Sequence, residues 1–454
     1  MPARVERMQR SLQGHAARLA PLWLLIFALA PDVARAAEVT DVLDAFDDAF
    51  SNPYDFSLRL RFAHDARSAG IAREVRCIAN DAVGSQICPT QSRTIFAREL
   101  EYSSSRQTLN IDARVGLFHD VELAFSLPMV VGYSWSHAFA NGVSRSNSTL
   151  LPPDNRDAVM AVPYKSVERS GLGDAQLGLK WSPYNYYRDH SKPTWVFAIN
   201  WTLPTGEPMK AENDTVGLGL HQVDFSSTIS RRALRILEPF FAIHATMFFE
   251  TKDSLFAKQR QPETHKEVTP GTQVGTRFGG ELIPWEDLKN DARIELEAGF
   301  AMDYNFRGRA YSEVWEALAS PSNPCRLSAS CSNISHTKSD PDPTTGRAAM
   351  TNGITDVEQY GTFAGWASLH YQPVRHFQIS AMFRYSVDTP HFITFGDYGV
   401  SLDDNKAVEQ ANSQTPPKNE YSPVFLPSLD SPGSRLRLQD VANISFMLSV
   451  SGKL

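Results

Sequence analysis

From Phe56 onward, apolar side chains recur at every second position, in runs separated by turn residues. Phe56, Leu58, Leu60 and Phe62 alternate with Ser57, Arg59 and Arg61, and Leu109, Ile111, Ala113, Val115 and Leu117 alternate with Asn110, Asp112 and Arg114. A two-residue turn at His119 and Asp120 leads into Val121, Leu123, Phe125, Leu127 and Met129. The pattern then returns in 175–181, 195–203, 223–229, 237–247, 274–281, 292–303, 363–371, 377–385 and 443–450. A period of two gives a strand with two chemically different faces. A single such run could cover a soluble sandwich, whereas a dozen in series is the signature of a transmembrane barrel.

Connection lengths sharpen the choice. With 94–118 read as one long strand, long connections cover about 65–93, 136–170, 204–218, 251–268, 305–360 and 388–434. Short ones lie between them, at 119–120, 182–193, 231–235, 283–289 and 373–374. Outer-membrane barrels have an even strand count, short periplasmic turns and long outer loops. A sandwich has no reason to gather every long loop at one end. The expected fold is therefore all-β: a transmembrane antiparallel up-and-down barrel of about twelve strands over residues 55–454, with both ends in the periplasm.

Charges fall on the polar side of these strands: Arg59, Arg61, Asp112, Arg114, Asp174, Lys180, Asp224, Arg277, Glu281, Arg293, Glu295 and Glu297. In a barrel they are candidates to line the lumen. An Arg or Lys on the lipid face near mid-membrane would cost about 2–4 kcal/mol, and the apolar side contains none. Trp135, Trp181, Tyr184, Trp195 and Trp285 stand near strand ends, where amphipathic rings favour the membrane interface.

The first 36 residues read as a signal peptide. Arg4, Arg7, Arg10 and Arg18 precede the apolar run LAPLWLLIFALA, and Ala34-Arg35-Ala36 gives the small-x-small pattern before a cut. In residues 37–54, Val39, Val42, Leu43, Phe46 and Phe50 have helical spacing, which suits a periplasmic helix or an internal plug, with a partly ordered leader an equal alternative. No later stretch is apolar enough for a membrane helix, so an exported chain like this enters a membrane only as a closed barrel.

Composition does not decide the class. The 454 residues are 42% hydrophobic and 21% charged with mean hydropathy −0.30, values open to a soluble protein or a barrel. The formal net charge of −7 becomes more negative once five arginines leave with the signal peptide, which argues against a nucleic-acid partner. Four cysteines form two close pairs, Cys77/Cys88 and Cys325/Cys331, both in long connections. In an exported chain these read as two disulfide-closed loops.

The search for chemistry yields no catalytic set, cofactor or metal site. Outer-membrane phospholipases would require His two residues before Ser-Asn-Gly. The nearest phrase, 136–142 (SHAFANG), sits in an expected loop and lacks that serine. Glu295 and Glu297 share a strand face and could hold a proton or metal, but charges inside barrels more often pair with arginines such as Arg293 and Arg277. Gly217-Leu218-Gly219 lacks the lysine and helix of a phosphate loop. In the long connections, Ser335 to Arg347 reads as exposed. The run at 391–395 (HFITF) reads as a strand extension above the membrane, with folding into the mouth as the other option.

Residues 171–206 carry Gly-Leu-Gly-Asp at 171–174, a strand ending Lys180-Trp181, and a strand ending Leu203-Pro204-Thr205-Gly206. This arrangement resembles the outer-membrane family named for the meta-pathway of phenol degradation, which belongs with the wider hydrocarbon-uptake barrels. The resemblance implies a barrel of about this size that passes small hydrophobic or aromatic compounds. The chain departs from the usual terminal aromatic by ending on Leu454, which keeps the phase of Phe446, Leu448 and Val450. The expectation is thus a passive channel, not an enzyme, with a narrow or plugged lumen. A non-conducting structural or surface-interaction barrel is the alternative, and a lipid hydrolase a third. Expected partners are outer-membrane lipid, lipopolysaccharide, the barrel-insertion machinery and an unspecified small solute.

Overall fold

Each alternating run becomes a strand, and twelve strands pair in chain order. In the computed structural model they are β1 (Phe56–Cys77), β2 (Arg93–Phe118), β3 (Val121–Phe139), β4 (Gln176–Tyr184), β5 (Thr194–Thr202) and β6 (Leu220–Ser230). The second half comprises β7 (Leu237–Glu250), β8 (Gln273–Asp287), β9 (Ala292–Asn305), β10 (Tyr360–Val374), β11 (Phe377–Asp388) and β12 (Leu436–Lys453). β12 then pairs with β1, from Ser57 opposite Lys453 to Arg73 opposite Leu436. No barrel strand is left with an open edge, the condition a sheet must meet in hydrocarbon. The structure describes residues 38–45, 55–80, 82–83, 86–151, 160–186, 188–211, 213–234, 236–250, 268–287, 290–320, 337–341, 348–350, 352–374, 376–397, 399–401, 419–421 and 425–454. Among these, no helix is long and apolar enough to cross a membrane.

The outer face is the apolar one. Leu58, Leu60, Phe125, Ile199, Phe241, Ile243, Phe383 and Phe446 are all exposed on the barrel wall, forming a girdle of the kind that meets lipid. Three register shifts at the periplasmic rim, Trp181/Tyr184, Leu282/Trp285 and Tyr371/Val374, each enclose a proline: Pro183, Pro284 and Pro373. Proline has no N–H to give a ladder, so it settles at a bulge. The extra residue shifts the alternation by one, and both residues flanking each bulge stay exposed on the outer wall. Trp181, Tyr184 and Trp285 thereby stand at the rim as expected. Trp135 does not: it is 3% exposed, turned inward beneath the outer loops.

Wall height is uneven. β1 and β2 have 22 and 26 residues, whereas β4 and β5 have nine each, about the least that crosses a bilayer. Above β4 the chain is interrupted at 173–175, and a short upper piece, Arg169–Leu172, pairs again with β3.

The outer loops pack over the mouth as a second core. Leu150, Leu151, Met160, Leu318, Ile393, Leu429 and Leu436 are fully buried there, with Trp135 and Trp315. A short helix α1 (Trp315–Ala319) and a turn of helix α2 (Pro427–Asp430) belong to this lid. His391 and Phe392 extend the sheet onto β12, as expected, and the next residue, Ile393, plunges into the lid core. The phrase at 136–139 proves to be strand and not loop, because β3 runs on to Phe139. Cys77 and Cys88 are joined by a disulfide at the head of β1. Cys325, Cys331, the signal-peptide stretch 1–36 and residues 335–336 and 342–347 lie outside the described residues.

Candidate functional site

At the periplasmic end, residues 38–45 lie inside the barrel, with Glu38–Thr40 forming a single 3-10 turn. Gly116 makes this possible, since a Cβ there would lie 2.8 Å from the Ala45 nitrogen. Glu122, fully buried on β3, gathers the segment. It accepts the Leu43 N–H at 3.0 Å and two Arg114 bonds at 2.6 and 2.8 Å, and Lys180 stands 3.5 Å away. Arg59 ion-pairs with Glu38, Arg114 reaches Asp41 at 3.3 Å, and Arg188 pairs with Asp44. Residues 46–54 of the same stretch, with Phe46 and Phe50, lie outside the described residues.

Above this floor lies a cavity of about 390 Å³, bounded below by Glu38 and Val39. Its most ordered wall is aromatic. Phe240 of β7 and Trp366 of β10 belong to one rung of the sheet, separated only by Gly279 and Gly299. Their rings stack with centroids 6.4 Å apart and planes inclined by 29°. The glycines allow it: a Cβ on Gly299 would sit 2.2 Å from the Trp366 ring, and one on Gly279 would sit 2.7 Å from Phe240. Trp366 is fixed by its Nε1, which donates to Glu297 at 2.6 Å. Lys180, Arg277 and Arg384 supply positive charge to the same space.

The charged positions singled out in the sequence separate into groups. Lys180, Arg277 and Glu297 border the cavity, and Arg59 and Arg114 clamp the floor. Arg61 and Asp112 pair with each other at 3.2 Å, and Asp224 accepts the Thr246 hydroxyl at 2.5 Å. Arg293 and Glu295 pair at 2.8 Å, both nearly buried. Glu281 is 1% exposed, and neither of its oxygens has a hydrogen-bond partner among the described residues. Among the described residues no cluster of His, Cys, Asp and Glu could hold a metal.

Asp174 corrects the sequence reading. Its carboxylate accepts the Gly206 N–H and the Leu218 N–H, each at 2.9 Å, and so locks the break in the fourth strand to the following loop. Thr205 completes the latch by accepting the Ala175 N–H at 2.8 Å. The Gly-Leu-Gly-Asp, Leu-Pro-Thr-Gly and Gly-Leu-Gly motifs are thus three parts of one backbone joint. Glu38, Asp41, Glu122, Phe240 and Arg384 were missed. Glu122 carried a readable signal, standing between the outward Val121 and Leu123, but nothing local showed that residues 38–45 would come back to meet it.

A closed barrel with an apolar girdle is the build of an outer-membrane protein. No family model matches the chain, and no curated protein matches it in sequence. Solved structures do resemble it. An outer membrane channel from Pseudomonas putida F1 gives a TM-score of 0.39 at 11% identity, over 90% of this chain and 99% of that one. A Pseudomonas aeruginosa FadL homologue gives 0.32 at 9%, over 88% and 90%. The Pseudomonas putida toluene transporter TodX gives 0.31 at 8%, over 88% and 89%. With TM-scores below 0.5, the barrel assignment rests on the strand pairing described above and not on these likenesses.

Proposed function

We propose that this chain is a passive outer-membrane channel for small molecules, hydrophobic and aromatic ones included, held closed in the state seen here. The supporting observation is the unfilled space of about 390 Å³ at the centre, with its aromatic shelf. Twelve strands lie between eight-strand barrels filled by side chains and sixteen-strand porins with open channels, and protein interiors are close-packed by default. A purely structural barrel would have no evident use for an unfilled space walled by two stacked rings. On this reading the girdle sits among outer-membrane lipid and lipopolysaccharide, and the barrel reaches the membrane through the insertion machinery.

One observation favours the alternative of a non-conducting barrel: a segment held on Glu122 occupies the periplasmic end, and a core of loop residues packs at the outer end. Flux measurements separate the two. Purified protein in planar bilayers and in solute-loaded liposomes should pass small solutes, and more of them once the plug segment is loosened. Neither current nor flux in the wild type and in a plug-loosened variant would leave the structural reading.

A further inference from the structure

The cavity is amphipathic, and its polar side sets Lys180, Arg277 and Arg384 beside Glu38 and Glu297. Among the described residues, Arg277 of β8 and Arg384 of β11 have neither a hydrogen bond nor an ion pair, although both border the cavity. The acids near them take their hydrogen bonds from other groups, although Asp303 and Asp224 still attract Arg277 through space. Asp303 holds His244 at 2.8 Å, Asp224 accepts Thr246 and Gln222, Glu297 accepts Trp366, and Glu38 holds Arg59. Arg277 is exposed to the lumen and Arg384 half-buried, so both guanidinium groups present donors to an anion entering the space.

The sheet register places these charges beside the aromatic shelf. Arg384 stands directly opposite Trp366 across β10 and β11. Arg277 lies two residues from Gly279 on β8, on the same face and in the rung above the rings. A planar guanidinium offers paired N–H donors that match a carboxylate. An aromatic ring offers a flat partner for another ring. Resting on the channel reading for its route, we infer that the solute is a small aromatic carboxylate, its ring on Phe240 and Trp366 and its carboxylate between Arg277 and Arg384.

The test uses the full barrel in detergent and in liposomes, with three probes of matched size: benzoate, toluene and benzylamine. Binding is read by calorimetry and by quenching of tryptophan fluorescence, and passage by liposome flux. Benzoate should bind at least tenfold more tightly than toluene or benzylamine. Arg277→Gln and Arg384→Gln, checked for folding by heat-modifiable migration, should each weaken benzoate at least tenfold and leave toluene unchanged. Equal binding of the three probes by the wild type would overturn the inference even if neither variant folds. So would benzoate binding that survives both substitutions together. The channel reading fails separately: benzoate bound with the expected preference but passed by neither wild type nor a plug-loosened variant would retain the ligand class and remove the route. Toluene flux with no preference for benzoate would do the reverse.

Discussion

Arg169 and Glu316 form an ion pair that solvent does not reach on either side. The guanidinium lies 5.1 Å from the Trp135 ring centre and 5.5 Å from that of Trp315, and it also donates to Asn213 at 2.7 Å and to the Lys210 carbonyl at 3.0 Å. One side chain thus ties β3, the loop around 210 and α1 into a single lid. Removing one partner of a buried pair leaves the other charge stranded, at a cost of about 3–5 kcal/mol. Arg169→Met should loosen the lid, raising amide hydrogen exchange over 160–164 and 315–319, while Arg169→Met with Glu316→Leu should recover most of the protection. Unchanged exchange in the single variant would show that the apolar core alone holds the lid.

The lid should also respond to pH. Asp430 in α2 is buried, and that burial pushes its carboxyl up to about 6, with Asp356 adding repulsion and Arg309 partly offsetting it. Backbone N–H groups of Leu426 and Gly396 bond to it at 2.8 and 2.9 Å. Between the unfolded value near 4 and about 6, the folded protein binds the extra proton, so this group's contribution to lid stability falls as pH rises through that window. Protection in α2, corrected for the intrinsic pH dependence of amide exchange, should be greater at pH 4.5 than at pH 7, and Asp430→Asn should flatten the difference.

The plug depends on Glu122. Glu122→Gln removes the charge that holds Arg114 and Lys180 and weakens the acceptor of the Leu43 N–H. Breaking one member of such a buried network costs about 3–5 kcal/mol. In planar bilayers the variant should open more often than the wild type, and deletion of 38–45 should do so more strongly. Currents equal in all three proteins would mean that this segment does not gate the lumen.

Asp174 should matter for stability and little for solute choice. Asp174→Ala leaves the Gly206 and Leu218 N–H groups without their acceptor, at about 1–3 kcal/mol for each one left unpaired. The heat-modified gel shift should occur at a lower temperature, with the ratio of benzoate to toluene binding unchanged. A variant as heat-resistant as the wild type would mean that the joint is held by the strands alone.

The barrel was legible in the chain because its cause is local. Alternation at Leu109, Ile111 and Ala113 faces one side toward lipid whatever the rest of the molecule does, and twelve such runs with long and short connections in turn leave few other closures. Lysine and arginine positions were legible for the same reason, since none could sit on the lipid face. What no window of sequence could show is which inward charge meets which. Arg293 and Arg277 both stood open as mates for Glu295 and Glu297; Arg293 takes Glu295, whereas Glu297 takes the indole of Trp366 and Arg277 borders the cavity.

The sequence by itself determined strand number, strand faces and the apolar girdle, because each follows from a period of two and the cost of a charge in hydrocarbon. Tertiary structure alone decided that 38–45 returns to Glu122, that Asp174 joins strand to loop, and that Phe240 and Trp366 meet across Gly279 and Gly299. Those contacts depend on shear and on how loops fold back over a closed ring, which join residues far apart in the chain and leave no periodic trace in it.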